Sequence, residues 1–569
     1  MTAVLRKTSR QQNAPDLSHF RKRFPLTVAN FGPLANREAW LGRIWELDAA
    51  WRQTMEREDR AQEVIVRGAP PSGLEAEAEF DIIYAGGRVG LLHAAVMASR
   101  FKRRVLVFDA QSVGRTDRDW NISDEELREL ETARLFTKDE IEAAVINRYR
   151  SGFVKFHDAA SRVKTPPLWM NGVLDVALDA DKLLALARSK ICASETRSSA
   201  IDGLRLVRCY VQSDRVTVEL EDVRSRRRRL FGARLFIDST GTSSRVARQL
   251  QDGRSITHVC PAVGTVARGF VRGEEPDRVD FGVGEILVSN EDASDHRQLI
   301  WEGFAGSPER DEYTTYLFFY DGVDSPANKS LLALFERYFE SLPRYKRAGA
   351  QWRVTRPVFG YIPGTQHHGW GNRRRTADNR IMLIGETAGI ASPLLTFSGF
   401  GSQVRNLGRL THLTNLALDA DLLDAASLSE INAAGPRVAQ TASLAEFMRP
   451  TPRSAPSAVN ETLNALMAAL HDLDERVRRE LFQDRMTFLA LKNLLSRTAK
   501  LYPRIFQRVR EHLGARGTFW WIANIVEVIL SERREGSVES MEGVEQQQGE
   551  DAAQRFARYV RIYKSRQGA

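Results

Sequence analysis

The stretch DIIYAGGRVGLLHAAVMASRFKRRVLVFD, Asp81 to Asp109, decides the fold. An apolar run through Ile82 and Ile83 enters the turn Ala85-Gly86-Gly87-Arg88-Val89-Gly90, and an apolar helical pattern through Ala94 follows. A second apolar run, Val105 to Phe108, ends at Asp109. This is a strand–turn–helix–strand unit. In a dinucleotide site, small residues let the backbone approach a pyrophosphate at the helix N-terminus, where N–H groups and the helix dipole meet its charge. The small positions here are Ala85, Gly87 and Gly90, and Asp109 lies 24 positions after Ala85. That separation suits an acid accepting hydrogen bonds from a ribose hydroxyl. The departure is Ala85, where glycine is usual and the backbone is freer.

Two later segments extend the reading. LFIDSTGTSSR, Leu235 to Arg245, offers Asp238 and Gly241 at a strand end. RIMLIGETAG, Arg380 to Gly389, offers Gly385, Glu386 and Gly389, with Pro393, Gly399 and Gly401 beyond. In order and spacing they resemble the D-x-x-G ending and the second FAD motif of hydroxylase-type flavoproteins. In that motif an acid, usually Asp, serves the ribityl chain; Glu386 is one methylene longer. FAD, not NAD, is the expected cofactor. The chain shows no second G-x-G-x-x-G unit, so NAD(P)H is expected only as a reductant.

Composition narrows the remaining classes. Hydrophobic residues make up 43% of the 569 residues and charged residues 27%, which excludes wholesale disorder. Lys and Arg exceed Asp and Glu by 82 to 73, too mild an excess to indicate a nucleic-acid partner. Cys192, Cys209 and Cys260 form no C-x-x-C pair, so no disulfide framework or cysteine-rich zinc site is expected and a reducing compartment suits the chain. His367 and His368 are adjacent on a loop without a third ligand type nearby, so no metal is expected. No apolar run is long enough to cross a bilayer, and the basic N-terminus lacks the apolar core of a secretory signal.

The expected fold class is mixed α/β: a Rossmann-like FAD-binding domain of the hydroxylase or geranylgeranyl-reductase type, an inserted antiparallel-sheet substrate domain, and a helical C-terminal region. Residues 1–75 read as a basic helical extension, with an amphipathic stretch from Glu38 to Glu58. The FAD domain is expected over 76–255 and 356–440, the β-rich substrate domain over 256–355, the helical domain over 441–540 and a tail over 541–569. Ser123 with Glu126, and Thr137 with Glu140, match the S/T-x-x-E capping box that starts helices. Leu204 to Ile237 reads as an antiparallel meander, with Arg226 to Arg229 in a solvated connection.

A narrower likeness rests on GRTDRDWNIS (Gly114 to Ser123), SGFVKF (Ser151 to Phe156), CPAVGTVARGF (Cys260 to Phe270), IWEGF (Ile300 to Phe304) and SGFG (Ser398 to Gly401). From about Phe80 to about Asn493 the chain resembles the CruA/CruP type of lycopene cyclase, among the FixC-like flavoproteins. The resemblance implies redox-neutral cyclisation of linear carotene ends. An acid protonates a terminal double bond, the cation is attacked by the next double bond, and proton loss closes the ring, with reduced flavin stabilising the cation. It also implies an apolar polyene substrate and peripheral membrane contact on the cytoplasmic side. Glu302, beside Trp301 and Phe304 in a strand-like run, is the first candidate acid, since an apolar pocket keeps a carboxyl protonated. Asp321, after the run TTYLFFY, is the second. Trp120 reads either as core or as lining of a polyene tunnel. The apolar stretch Gly517 to Leu530 reads either as an interfacial helix or as a buried one. A monooxygenase or other oxidoreductase of the same fold remains an alternative, as does a non-catalytic relative; the halogenase signature W-x-W-x-I-P is absent.

Overall fold

The computed structural model describes residues 15–55, 63–73, 75–116, 119–241, 244–251, 256–364, 375–388, 399–432, 445–452, 454–483, 485–511, 514–515, 518–519, 522–523 and 550–568. Two large sheets organise them. In the first, Ile381–Leu383, Arg228–Asp238, Glu79–Ala85, Val105–Asp109 and Ser199–Asp202 lie side by side and parallel. The central strands Glu79–Ala85, Val105–Asp109 and Ile381–Leu383 are largely apolar because helices and loops bury both faces, whereas the edge strand Ser199–Asp202 is partly exposed; Ile82, Ile83, Tyr84 and Ala85 are all fully buried. Helix Gly90–Ser99 is apolar around its whole circumference and packs between this sheet and helix Ala180–Cys192.

The long strand Arg228–Asp238 serves two arrangements at once. Its first half closes the expected meander, pairing antiparallel with Val216–Asp222, which pairs with Leu204–Val211. Its last residues enter the parallel centre. The basic connection is an ion-paired hairpin: Arg226 meets Glu221, Arg228 meets Glu219 and Arg229 meets Glu77.

In the second sheet, Ala348–Gly364, His258–Phe270, Glu312–Phe318, Ile300–Ala305, Val283–Val288, Ser151–Lys155 and Leu168–Met170 follow one another, with Asp321–Gly322 short against His258–Phe270. Two of these strands, Ser151–Lys155 and Leu168–Met170, come from within 76–255, and Ala348–Gly364 runs past 355. Ser151–Lys155 pairs in parallel with Val283–Val288, a contact across more than a hundred residues that leaves no local signal.

Helix Leu331–Tyr345 covers the outer face of this sheet, where Trp301 stacks on Tyr345 at 4.5 Å. The amphipathic N-terminal stretch forms helix Arg37–Met55 and packs beside it. Its buried Asp48 accepts hydrogen bonds from the Ser330 hydroxyl, the Leu331 and Leu332 N–H groups and the Tyr361 hydroxyl. Trp51 stacks on the same Tyr361 ring at 4.5 Å.

Both capping boxes form as expected, at Ser123–Glu126 and Thr137–Glu140. The C-terminal region contains helices Ala458–His471, Glu475–Phe482 and Phe488–Leu501, and Ala552–Gly568 lies along Gly399–Asp419 through His412, Tyr559 and Tyr563. His367, His368, Pro393, Ser398 and most of Gly517 to Leu530 lie outside the described residues. Among the described residues no helix is long and apolar enough to cross a membrane.

Candidate active site

The glycine turn is shaped by its neighbour, the end of strand Arg228–Asp238. The Ala85 carbonyl accepts from both the N–H and the hydroxyl of Ser239, each at 2.8 Å. Gly86 has φ of 101°, and a Cβ there would lie 2.8 Å from the Ser239 carbonyl oxygen. The turn therefore requires glycine at 86, a position the spacing argument passed over. Ala85 itself sits in the ladder between Phe108 and Asp238, where alanine costs nothing. Gly90 opens the helix so close to the strand that a Cβ would meet the Ser239 hydroxyl at 2.1 Å. Asp109 reaches the turn, accepting from the Gly87 N–H at 2.9 Å and from the Gln111 N–H.

The other two motifs converge here. Asp238 is buried and accepts from the Thr240 N–H, the Thr240 hydroxyl and the Ser244 hydroxyl, which fixes the path from strand to helix Arg245–Leu250. Burial pushes its carboxyl up, and these hydrogen bonds pull against that shift. The Gly241 N–H donates to the Thr387 hydroxyl at 2.7 Å, joining the second motif to the third. Gly385 has φ of 60° and begins a short turn carrying Glu386. Gly399 opens the helix that Gly401 continues; Gly389 lies outside the described residues.

Between the two sheets is a cavity of about 190 Å³. Arg88, Gly90, Ser239, Gly241, Gly385 and Glu386 line one side, and Cys260, Ala262, Glu302, Phe304, Tyr316 and Phe318 the other. The second set follows from strand alternation, since 260 and 262, 302 and 304, 316 and 318 point to one face. Register places Glu302 opposite Tyr316 on the neighbouring strand. Trp120 and Phe400, stacked at 4.2 Å, contribute further lining, so Trp120 is both packed and exposed to the cavity.

Glu302 is only half-buried as a whole residue, because it faces this space, yet its Oε1 is shut away and has no hydrogen-bond partner. Burial pushes its carboxyl well above the ordinary range, and no cation pulls it back. Of the two neighbours that sequence placed around it, Phe304 shares the cavity, whereas Trp301 points to the opposite face. Asp321, the second candidate, stands apart from this lining and is engaged with Lys329 at 3.1 Å, the Gly322 N–H and the Ser325 hydroxyl. That pairing was hidden in the sequence because its cation arrives from the loop that follows.

Sequence reading also missed Asp119, which lines the cavity. It pairs with Arg356, accepts from the Thr314 hydroxyl at 2.9 Å, and donates its N–H to the Tyr316 oxygen at 3.2 Å. Burial works against the Arg356 charge, and Asp119 then Tyr316 more than restore it. Asp119 lies within the GRTDRDWNIS segment, which was the available signal, but its partner lies 237 positions away. Among the described residues no cluster of His, Cys, Asp and Glu is arranged to hold a metal ion.

No family model matches this chain, and no curated protein does. Among solved structures it is similar to the halogenase PltM, with a TM-score of 0.51 at 14% identity, covering 86% of this chain and 96% of that one. The same halogenase in complex with phloroglucinol and FAD gives 0.51 at 13%, with the same coverage. A geranylgeranyl bacteriochlorophyll reductase-like protein from Thermoplasma acidophilum gives 0.49 at 12%, covering 76% of this chain and 99% of that one. The chain shares the fold of the FAD-binding halogenase. At these identities the likeness concerns the fold alone, and the chemistry must be argued from the cavity.

Proposed function

We propose that this chain is an FAD-dependent enzyme of the lycopene-cyclase kind, closing rings at the ends of an apolar polyene by acid catalysis. The observation that carries the reading is Glu302: a carboxyl on an aromatic-lined wall facing three glycine turns, with an unpartnered buried oxygen and no cation beside it, which burial pushes upward. A monooxygenase has no evident need for such an acid, whereas protonation of an isolated alkene requires one.

The residues fit a flavin dinucleotide. The turn at Gly86 and the helix start at Gly90 leave no room for a Cβ, and Asp109 and Glu386 stand at either end of the convergent loops. Gly86, Gly87 and Gly90 would hold the pyrophosphate, Asp109 the ribose, and Glu386 with Gly241 and Gly385 the ribityl chain. Bound and reduced by NAD(P)H, the flavin supplies electron density to the cavity in which a cation develops. The protein's own part is to exclude water, orient the chain end between Phe304, Phe318 and the Trp120–Phe400 stack, and deliver the Glu302 proton to its terminal carbon.

Expression in a lycopene-accumulating bacterium, with pigment analysis, tests this. Monocyclic or bicyclic carotenes are expected; unchanged lycopene beside folded, flavin-loaded protein rejects the reading. The halogenase-like fold keeps one rival open, an FAD-dependent monooxygenase on another apolar substrate. Oxygen-dependent turnover of reduced flavin, coupled to mass gain by the substrate, would favour it.

A further inference from the structure

An alkene cyclisation needs a proton acceptor as well as a donor, and the cavity presents a second carboxyl group in the opposite condition to the first. Asp119 and Glu302 both line it. Glu302 has no cation beside it and an oxygen without a partner. Asp119 is paired with Arg356, and the Thr314 hydroxyl donates to its other oxygen. Two carboxyl groups set in one space with contrasting surroundings are the arrangement that separates an acid from a base. We propose that Asp119 is the catalytic base of the same reaction, taking the proton whose loss sets the double bond of the ring. This inference rests on the cyclase reading above.

The atoms balance without a redox step. The Glu302 O–H bond breaks and a C–H bond forms at the polyene terminus. The neighbouring double bond supplies the electron pair of the new ring C–C bond. A C–H bond beside the resulting cation then breaks, its electrons become the ring double bond, and the proton passes to Asp119. A carboxylate tied to a guanidinium is a weak base, but a proton beside a tertiary carbocation is so acidic that position outweighs basicity. Asp119 also places a fixed negative charge in the cavity where positive charge develops. The Tyr316 hydroxyl accepts from the Asp119 N–H at 3.2 Å, and Tyr316 lies in register with Glu302 on the neighbouring strand, so the same strand pair carries both carboxyl groups' surroundings.

The test uses full-length Asp119→Asn protein in the lycopene-accumulating host, scored for ring isomer as well as ring yield. Ring formation should fall at least tenfold, and the residual product should shift in double-bond position, since an unguided cation loses whichever adjacent proton solvent reaches. Wild-type yield and isomer ratio in this variant overturn the assignment. Asp119→Asn leaves the half-buried Arg356 without this partner, so Asp119→Asn/Arg356→Gln, which removes both charges, provides the second arm. It should show the same isomer shift while retaining flavin, and an unshifted ratio there also overturns the assignment. Wild-type protein that forms no ring rejects the cyclase reading itself, and this inference with it.

Discussion

Asp238 in the nucleotide sheet and Glu302 in the second sheet are both carboxyl groups that burial drives upward, yet the two regions treat them oppositely. Asp238 meets two hydroxyls and an N–H, so every donor around it is used to hold the turn between strand and helix. Glu302 keeps an oxygen without a partner on the wall of a cavity. Burying a polar group without a hydrogen bond is costly. The first region commits this carboxyl to holding a turn, whereas on the proposed reading the second leaves one for proton transfer. Asp321, satisfied by Lys329 and its own loop, falls on the side of shape although it lies in the second sheet.

The comparison is open to attack at each carboxyl group. The largest effect is expected from Glu302→Gln, which should lower ring formation by about 10²–10⁴-fold, the usual range for a lost general acid, with flavin retained. Full ring formation in that variant, measured by pigment analysis, would break the contrast outright. Asp321→Asn strands Lys329 in the interior and should destabilise by about 3–5 kcal/mol in urea unfolding, leaving the ring isomer unchanged in whatever protein folds. Asp238→Ala orphans the Thr240 and Ser244 donors and should cost about 1–3 kcal/mol, with flavin retention reduced in proportion as the turn loosens.

A smaller effect sharpens the Glu302 side. The unfolded chain ionises this residue near about pH 4.3, whereas the folded chain holds the proton to well above that. Between those limits the native state binds more protons than the unfolded state, so this contribution is fully present below the unfolded value and is lost as pH rises. The difference in unfolding free energy between wild type and Glu302→Gln should therefore move against wild type from pH 5 to pH 8. A flat difference would show that the carboxyl group ionises normally in the folded protein.

What was legible in the sequence was local. The Asp81 to Asp109 unit, both capping boxes, the meander and the strand around Glu302 are patterns of spacing within a few tens of residues, and each formed. Gly86 was passed over because fingerprint spacing counts positions, while the demand for a left-handed residue comes from Ser239 on a strand more than 150 residues away. Asp119 was invisible as a reactive group because Arg356, Thr314 and Tyr316 reach it only after the second sheet has assembled. Asp321 misled for the converse reason: a carboxyl after an aromatic strand reads as isolated until the loop folds Lys329 onto it.

The N-terminal helix shows one more consequence of assembly. Asp48 satisfies the first N–H groups of helix Leu331–Tyr345 and shares the Tyr361 hydroxyl with the second sheet, while Trp51 lies flat on the Tyr361 ring. Trimming the chain before the Asp81 to Asp109 unit, a natural choice for anyone seeking a minimal fragment, would thus pull a keystone from the far side of the second sheet rather than shed a dispensable leader.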